Sequence, residues 1–245
     1  MEISILEWIF IGISSFALGI SKAGLKGFGV LMIAVMAVIF GAKASTGILV
    51  PMLIAGDIMA VIYYNRHAKW IYVFKLMPSM VIGVLIAVLV GKNLPEHVFK
   101  WGMAIIILLG VFSMYLWDKG KIKAVPDSQV VSGTLGFLAG FTTMIGNLAG
   151  AFANLYFLAM KMPKNNFIGT AAWVFFIINV FKLPFHVFSW KTITYDTFLL
   201  NLKLLPFEIL GFLMGVWLIR MISEKFFRNI VLILTAVGAI IILLK

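Results

Sequence analysis

The sequence predicts an all-α integral membrane protein built from two repeated halves. The chain of 245 residues is 63% hydrophobic and only 12% charged, whereas charged residues make up about a quarter of a soluble domain. Several apolar runs reach the roughly 20 helical residues that cross a hydrocarbon core. Glycine, proline and acidic positions recur in the same order in both halves. Together these observations predict two inverted-topology repeats with about 8–10 membrane segments, including short broken or re-entrant helices.

Composition also excludes several classes of protein. The net charge of +11 would suit nucleic-acid binding, but Lys and Arg lie between the apolar runs, where the positive-inside rule explains them better. Cysteine is absent, which excludes disulfides, thiolate metal ligands and cysteine catalysis. Met1–Glu7 holds two acidic residues and no Lys or Arg, so it lacks the basic region of a signal peptide. We therefore expect the first apolar run to remain in the mature protein.

Ten apolar segments, five in each half, are separated by polar breaks. Those of the first half cover residues 5–21, 27–41, 44–64, 70–91 and 97–117. Those of the second half cover residues 130–146, 148–160, 166–188, 197–219 and 226–244. The most polar stretch, DKGKIKAVPD, separates the two sets. We therefore divide one membrane domain into a first repeat at 1–120, a linker at 121–127 and a second repeat at 128–245.

Positions of the first half recur in the second half with few changes of offset. The matched residues are Gly12, Phe16, Gly19, Gly47, Asp57, Pro78, Gly83, Glu96, Phe99 and Lys100 in the first half, and Gly133, Phe137, Gly140, Gly169, Asn179, Pro206, Gly211, Glu224, Phe227 and Arg228 in the second. Apolar composition alone would match Leu and Val by chance, but it would not align these rarer residue types in order. The pattern indicates a duplication, which is common in secondary transporters.

The number of crossings in each half sets the relation between the repeats. The second segment of each half, about 13–15 residues, gives roughly 20 Å of helix, which is shorter than a hydrocarbon core about 30 Å thick. Either the first two segments form a re-entrant hairpin and three segments cross, or all five cross. Both counts are odd, so the second repeat is inverted in either case. The loops of one side then carry most of the Lys and Arg, which predicts that both termini lie outside.

Asp57 is an acidic residue inside the apolar run PMLIAGDIMAVIYY. An ionised carboxylate at membrane depth is costly and is by default a functional hypothesis. Asp57 could carry a coupling proton, position a nearby Lys, or hold the packing through a hydrogen bond to another helix. Its repeat counterpart Asn179 is polar but cannot titrate, and it is a candidate substrate-binding residue.

Two glycine-rich breaks, GISKAGLKGFG at 19–29 and GFTTMIGNLAG at 140–150, lie at corresponding positions of the two halves. Paired interruptions are the best sequence indication of a transporter binding site, and free N–H groups at helix ends suit an anion. The alternative is close helix packing through small residues. The candidate binding residues in the breaks are Lys22, Gly24, Gly27, Thr142, Thr143 and Asn147, with Lys26 as a further donor.

Lys182 follows Asn179 and precedes Pro184 in the third segment of the second half. Its long side chain could reach the membrane interface or face an anion path. The motifs of ATP hydrolysis and proteolysis are absent, so we expect neither an enzyme nor a cofactor.

Histidine and tryptophan positions carry weaker indications. The histidines are scattered among expected loops without metal-ligand spacing, so we expect no metal site: His67, His97 and His186. The tryptophans near segment ends are expected to be interfacial anchors: Trp8, Trp70, Trp101, Trp117 and Trp190.

Two stretches resemble the sulfite exporter TauE/SafE family, also called the four-toluene-sulfonate uptake permease group. They are GISKAGLKGFGVLMIAVMA with GILVPMLIAGDIMAVIYYNRHAKW in the first half, and GFLAGFTTMIGNLAGAFANLYFLAMKMPKNNFIGTAAWVFFIINVFKLPF in the second. The residues that match the family's characteristic segments are Lys22, Gly24, Gly27, Gly29, Pro51, Asp57, Asn147, Gly150, Phe167, Gly169, Thr170, Trp173, Asn179, Lys182 and Pro184. The first break lacks the run of adjacent glycines found in many members, and it carries Lys22 and Lys26 instead.

The resemblance implies a multi-pass permease of the bacterial inner membrane for sulfite, sulfoacetate, thiosulfate or related organosulfur anions, in either direction. We expect Lys22 and Lys182 to supply positive charge, and backbone amides, Asn147 and the threonines 142, 143 and 170 to supply hydrogen bonds. Asp57 is the proton-coupling candidate. The expected partners are a small anion, protons, the lipid bilayer and a second copy in a homo-oligomer. The alternatives are a channel-like pore and a non-transporting membrane assembly protein; the sequence leaves substrate, direction and coupling ion open.

Overall fold

The computed structural model describes residues 3–25, 28–118 and 128–221, and this part of the chain is helical without a strand. Its α-helices are α1 (Ile5–Lys22), α2 (Phe28–Phe40), α3 (Ala42–Tyr64), α4 (Trp70–Gly91), α5 (Glu96–Asp118), α6 (Gln129–Gly146), α7 (Ala149–Ala159), α8 (Lys164–Pro184) and α9 (Tyr195–Met221). A 3₁₀ turn at Asn65–His67 follows α3, and a π-helical turn at Phe185–Ser189 extends α8. The predicted all-α class is confirmed.

The predicted segments coincide with helices to within a few residues, except that segment 226–244 and the linker 121–127 lie outside the described residues. Six helical stretches are long and apolar enough to cross a membrane: Ile5–Lys22, Ala42–His67, Trp70–Gly91, Gln129–Gly146, Lys164–Ser189 and Tyr195–Met221. The chain is therefore a multi-pass membrane protein.

The second helix of each half is short, as the sequence predicts. α2 has 13 residues and α7 has 11, so they extend over only roughly 20 and 17 Å at 1.5 Å per residue. The helix before each of them ends in a backbone with positive φ. Gly24 follows α1 with φ 131°, and Asn147 caps α6 in the left-handed conformation with φ 58°. Asn tolerates this conformation better than most residues, which is why it can end a helix.

Apolar and polar residues are distributed in the opposite way from a soluble protein. Large apolar side chains cover the outside, and Ile62 and Leu89 are each 76% exposed. Ionisable side chains lie inside instead: Lys22, Asp57, Lys182, His186 and Glu208 are all buried. A lipid solvent accounts for this distribution, because hydrocarbon accepts apolar side chains and excludes charge.

Close helix crossings hold the two halves together. α1 packs against α9, and an added Cβ at Gly19 would overlap the backbone carbonyl of Glu208. α6 packs against α4 in the same way, with Gly140 against the carbonyl of Met80. Glycine permits such backbone contact because it has no side chain. Since Gly19 and Gly140 are related by the sequence offset, equivalent glycines in the two halves make equivalent contacts.

Two expectations for the end of α8 are wrong. Trp190 is not an interfacial anchor, because it is buried and its Nε1 donates to the carbonyl of Val88 at 3.1 Å. His186 does not lie in a loop, because it is buried in the π-helical turn. Pro184 lacks a backbone N–H, but the helix continues past it as a wider π-turn rather than ending there.

The glycine crossing predicts a difference between two alanine variants of one helix. Gly140→Ala forces a methyl group onto the backbone of α4, so we expect a loss of about 1–3 kcal/mol of stability. Gly133→Ala is the matched control, since nothing lies within 4 Å of a Cβ there, and alanine favours a helix over glycine by up to about 1 kcal/mol. Thermal unfolding in detergent measures both variants, and equal melting temperatures would contradict the close crossing.

Candidate functional site

Lys22 and Asp57 form a buried ion pair between α1 and α3. Lys22 is the last residue of α1 and lies within the first break, and Asp57 lies in the interior of α3. The Lys22 Nζ atom lies 2.5 Å from the Asp57 Oδ1 atom, and both side chains are buried. The structure therefore shows that the Asp57 carboxylate contacts a lysine, as one of the three roles considered for it requires.

Asn179 brings the second half of the chain to this pair. Its side-chain amide on α8 donates to Oδ2 of Asp57 at 2.6 Å. Each oxygen of the Asp57 carboxylate therefore has one donor, and the two donors come from different halves. The Lys22 ammonium also lies 5.9 Å from the ring centre of Phe175, one turn before Asn179 on α8, which is within the range of a cation–π contact. Asp57 and Asn179, which the sequence offset pairs, thus contact each other.

Lys182 occupies a second buried position on α8, beside the second break. Its side chain is 0% exposed, so it does not reach the membrane interface. Its Nζ atom donates to the carbonyl and the hydroxyl of Thr143, each at 3.1 Å, and to Oδ1 of Asn147 at 2.5 Å. The amide nitrogen of Asn147 donates in turn to the Thr46 carbonyl at 3.0 Å, which fixes the Asn147 oxygen toward the lysine.

The two buried lysines differ in how their charge is compensated. Lys22 has a carboxylate partner in Asp57. The partners of Lys182 are neutral oxygens, and no carboxylate lies within ion-pair distance of it in the described structure. A buried charge needs an opposite charge as well as hydrogen bonds to offset the loss of its hydration. The position beside Lys182 is therefore one where an anion would be stabilised.

His186 extends this second polar region, and the sequence interpretation did not include it. It lies four residues after Lys182, its side chain is 0% exposed, and its Nδ1 lies 2.9 Å from Oγ1 of Thr192. Its Nε2 atom is buried without a hydrogen-bond partner in the described residues. The sequence does not indicate this position. A histidine shortly after Pro184 is expected in a loop, because the π-helical turn is not predicted from the sequence.

Glu208 is a second functional candidate that the sequence interpretation missed. It is 0% exposed in the interior of α9, and both carboxylate oxygens lack hydrogen-bond partners in the described structure. An added Cβ at Gly56 would meet Oε1 of Glu208 and Cγ of Lys22, so Glu208 adjoins the ion pair. The sequence does contain an indication of this residue, because Glu208 is an acid inside the apolar run LLPFEILGF, just as Asp57 is an acid inside PMLIAGDIMAVIYY.

Three other residues that the sequence predicts to bind substrate make different contacts from those of the two buried lysines. The Thr142 hydroxyl contacts the carbonyls of Ala139 and Leu148, each at 3.3 Å, and so closes the second break. Thr170 accepts a hydrogen bond from the backbone N–H of Lys69 at 2.9 Å, at the connection between α3 and α4. Gly24 packs against apolar side chains, since a Cβ there would lie 2.6 Å from Cδ1 of Ile168. Each of these contacts is to a backbone group or to an apolar side chain.

The remaining predictions concern the breaks and metals. Gly27 and Lys26 lie outside the described residues. Gly19 and Gly140, at the start of the two breaks, pack against backbone, as the packing interpretation predicts. Lys22 and Thr143, three residues further on in each break, contact buried polar groups. No group of three or more His, Cys, Asp or Glu side chains that could hold a metal ion occurs within residues 3–25, 28–118 and 128–221.

The contrast between the lysines predicts opposite effects on stability. Lys22→Met leaves the buried Asp57 without its cation, so we expect a loss of about 3–5 kcal/mol. The double variant Lys22→Met/Asp57→Asn removes both charges and should regain most of the loss. Lys182→Met removes a charge that lacks a carboxylate, so its melting temperature should equal or exceed that of the wild type. A loss of stability for Lys182→Met as large as that for Lys22→Met would contradict the assignment of charge.

Comparison with known proteins gives one match, to a family of membrane transporters. None of the curated proteins and none of the solved structures matches the chain. The family model described as Sulfite exporter TauE/SafE matches residues 10–242, which is nearly the whole chain. This protein therefore belongs to the sulfite exporter TauE/SafE family, a family of membrane transporters.

Proposed function

We propose that this protein is a secondary transporter of small sulfur oxyanions, such as sulfite and organosulfonates including sulfoacetate, and that Lys182 binds the transported anion. The observation that carries the proposal is the burial of Lys182, whose Nζ atom contacts only neutral oxygens in the described structure. A single buried charge costs several kcal/mol when it has no opposite partner. A bound oxyanion would supply that partner, and the family membership gives its chemical class.

The groups around Lys182 suit an oxyanion with several acceptor atoms. The Thr143 hydroxyl lies 3.1 Å from the lysine Nζ atom and can donate a hydrogen bond to an anion, whereas the Asn147 oxygen accepts from the lysine and orients it. The Nε2 atom of His186, which is buried and without a partner in the described residues, can donate a hydrogen bond in one of its tautomers. Charge-assisted hydrogen bonds of this kind are short and strong. In this proposal Lys22 does not bind the substrate, because Asp57 already neutralises it.

The repeat provides a route for alternating access. Two halves related by inverted topology can rock against each other around a fixed central site. The equivalent glycine crossings of α1 with α9 and of α4 with α6 support this relation, because they give the halves matched contacts. The link from Asp57 to Asn179 then lies where the halves meet. We place the protein in a bacterial inner membrane, with both termini outside.

Purified protein in lipid vesicles tests the transport function. Vesicles loaded with unlabelled sulfite should accumulate labelled sulfite transiently from outside, because a carrier exchanges one anion for another. A channel-like pore would equilibrate the label without overshoot. An assembly protein would move none, and neither sulfite, thiosulfate, sulfoacetate nor taurine would raise its melting temperature. Either of these outcomes would contradict the proposal.

Substitution of Lys182 tests the site. Lys182→Met removes a charge-assisted contact worth about 1.5–3 kcal/mol, so sulfite should bind about 10- to 100-fold more weakly. The matched control is Lys203→Met, which removes an exposed lysine on α9 and should bind sulfite as the wild type does. Isothermal titration calorimetry in detergent measures both. Unchanged affinity in Lys182→Met would show that the anion binds elsewhere.

A further inference from the structure

Glu208 is a buried acid that the proposed anion site does not use. It lies in the interior of α9, within a candidate membrane span. Its side chain is 0% exposed, and neither oxygen has a hydrogen-bond partner in the described residues. An ionised carboxylate without donors is among the most costly groups to keep in such a position. Its presence there needs an explanation in terms of function.

The charged groups that face Glu208 come from the two helices that pack against α9. In the described structure they are Lys22 from α1 and Asp57 from α3. Lys22 and Glu208 lie against the same face of α3, because a Cβ at Gly56 would meet side-chain atoms of both. The backbone carbonyl of Glu208 packs on Gly19, which fixes α9 at this height along α1. One cation and two carboxyl groups therefore share one buried cluster.

The charges of this cluster balance when it holds one proton. With both carboxyl groups ionised, the cluster carries a net charge of −1 inside the membrane, and with one proton it is neutral. Asp57 receives donors from Lys22 and from Asn179, at 2.5 and 2.6 Å. Glu208 receives none from the residues that the structure describes. Donors stabilise the ionised form of the carboxyl group that they contact, so the proton belongs on Glu208.

We propose that Glu208, and not Asp57, binds the proton that accompanies the anion through the transporter. This inference rests on the proposed transport function and assigns its coupling site. The Glu208 carboxylate takes a proton from water on one side of the membrane, becomes a neutral acid, and returns the proton to water on the other side, with no other bond changed. After release, the ionised Glu208 competes with Asp57 for the Lys22 ammonium. Proton binding thereby acts on the link between Asp57 and Asn179 that joins the two halves.

The experiment uses vesicles with reconstituted full-length protein, labelled sulfite and a lumenal pH dye, with protein-free vesicles correcting for passive permeation. The wild type should move protons together with sulfite, and a pH gradient should drive sulfite accumulation. Glu208→Gln should retain sulfite counterflow without a gradient, but it should lose both gradient-driven accumulation and proton movement. Asp196→Asn, a matched change at an exposed acid on the same helix, should behave as the wild type does.

The outcomes separate the coupling site from the transport function. Absence of counterflow in the wild type would refute transport itself. Counterflow without proton movement in the wild type, or coupling that persists in Glu208→Gln, would overturn only the role of Glu208. If Glu208→Gln does not fold, infrared difference spectra of the wild type replace it. A protonated carboxyl band that is lost on alkaline titration supports the proposal, and its absence in protein that co-transports protons overturns it.

Discussion

The ion pair between Lys22 and Asp57, completed by Asn179, is the interaction on which the rest of the bundle depends. Lipid provides neither water nor counter-ions, so a charge placed inside must be compensated by another group inside. Because the donors to Asp57 come from α1 and α8, compensation of one carboxylate joins the first half of the chain to the second. Gly56 and Gly169 allow these helices to approach closely, because a Cβ at Gly56 would meet the Lys22 side chain and a Cβ at Gly169 would meet the Tyr64 carbonyl.

The two halves that the sequence offset relates share glycine crossings but differ in their buried charges. Lys22 and Asp57 of the first half correspond by sequence offset to Thr143 and Asn179, whereas Lys182 and Glu208 of the second half correspond to Ala60 and Met80. Each buried charge is therefore confined to one half. In the proposed mechanism this difference gives the two polar regions separate tasks, since Lys182 receives an anion while the cluster around Lys22 exchanges a proton.

Much of the fold follows from the sequence, because hydrophobic length and glycine breaks depend on local composition. The helix limits and the short α2 and α7 were predicted correctly, and Asp57 is buried and contacts Lys22 and Asn179. The structure at the end of α8 was not predicted correctly. A proline is expected to end a helix, but the π-turn that follows Pro184 depends on tertiary packing, which the local sequence does not specify. Sequence also could not show which lysine lacks a counter-charge. That distinction arises because Asp57 contacts Lys22 across two helices, while Lys182 reaches only neutral oxygens. The acid rule applied to Asp57 would have found Glu208 as well.

The central claim is that the uncompensated charge of Lys182 binds the anion, and a crystal of the protein with selenite tests it most directly. Selenite has the shape and charge of sulfite, and its selenium atom is located by anomalous scattering. The account predicts an anomalous peak whose surrounding oxygens lie within hydrogen-bond distance of the Lys182 Nζ atom. A peak beside Lys22, or selenite bound with no contact to Lys182, would contradict it.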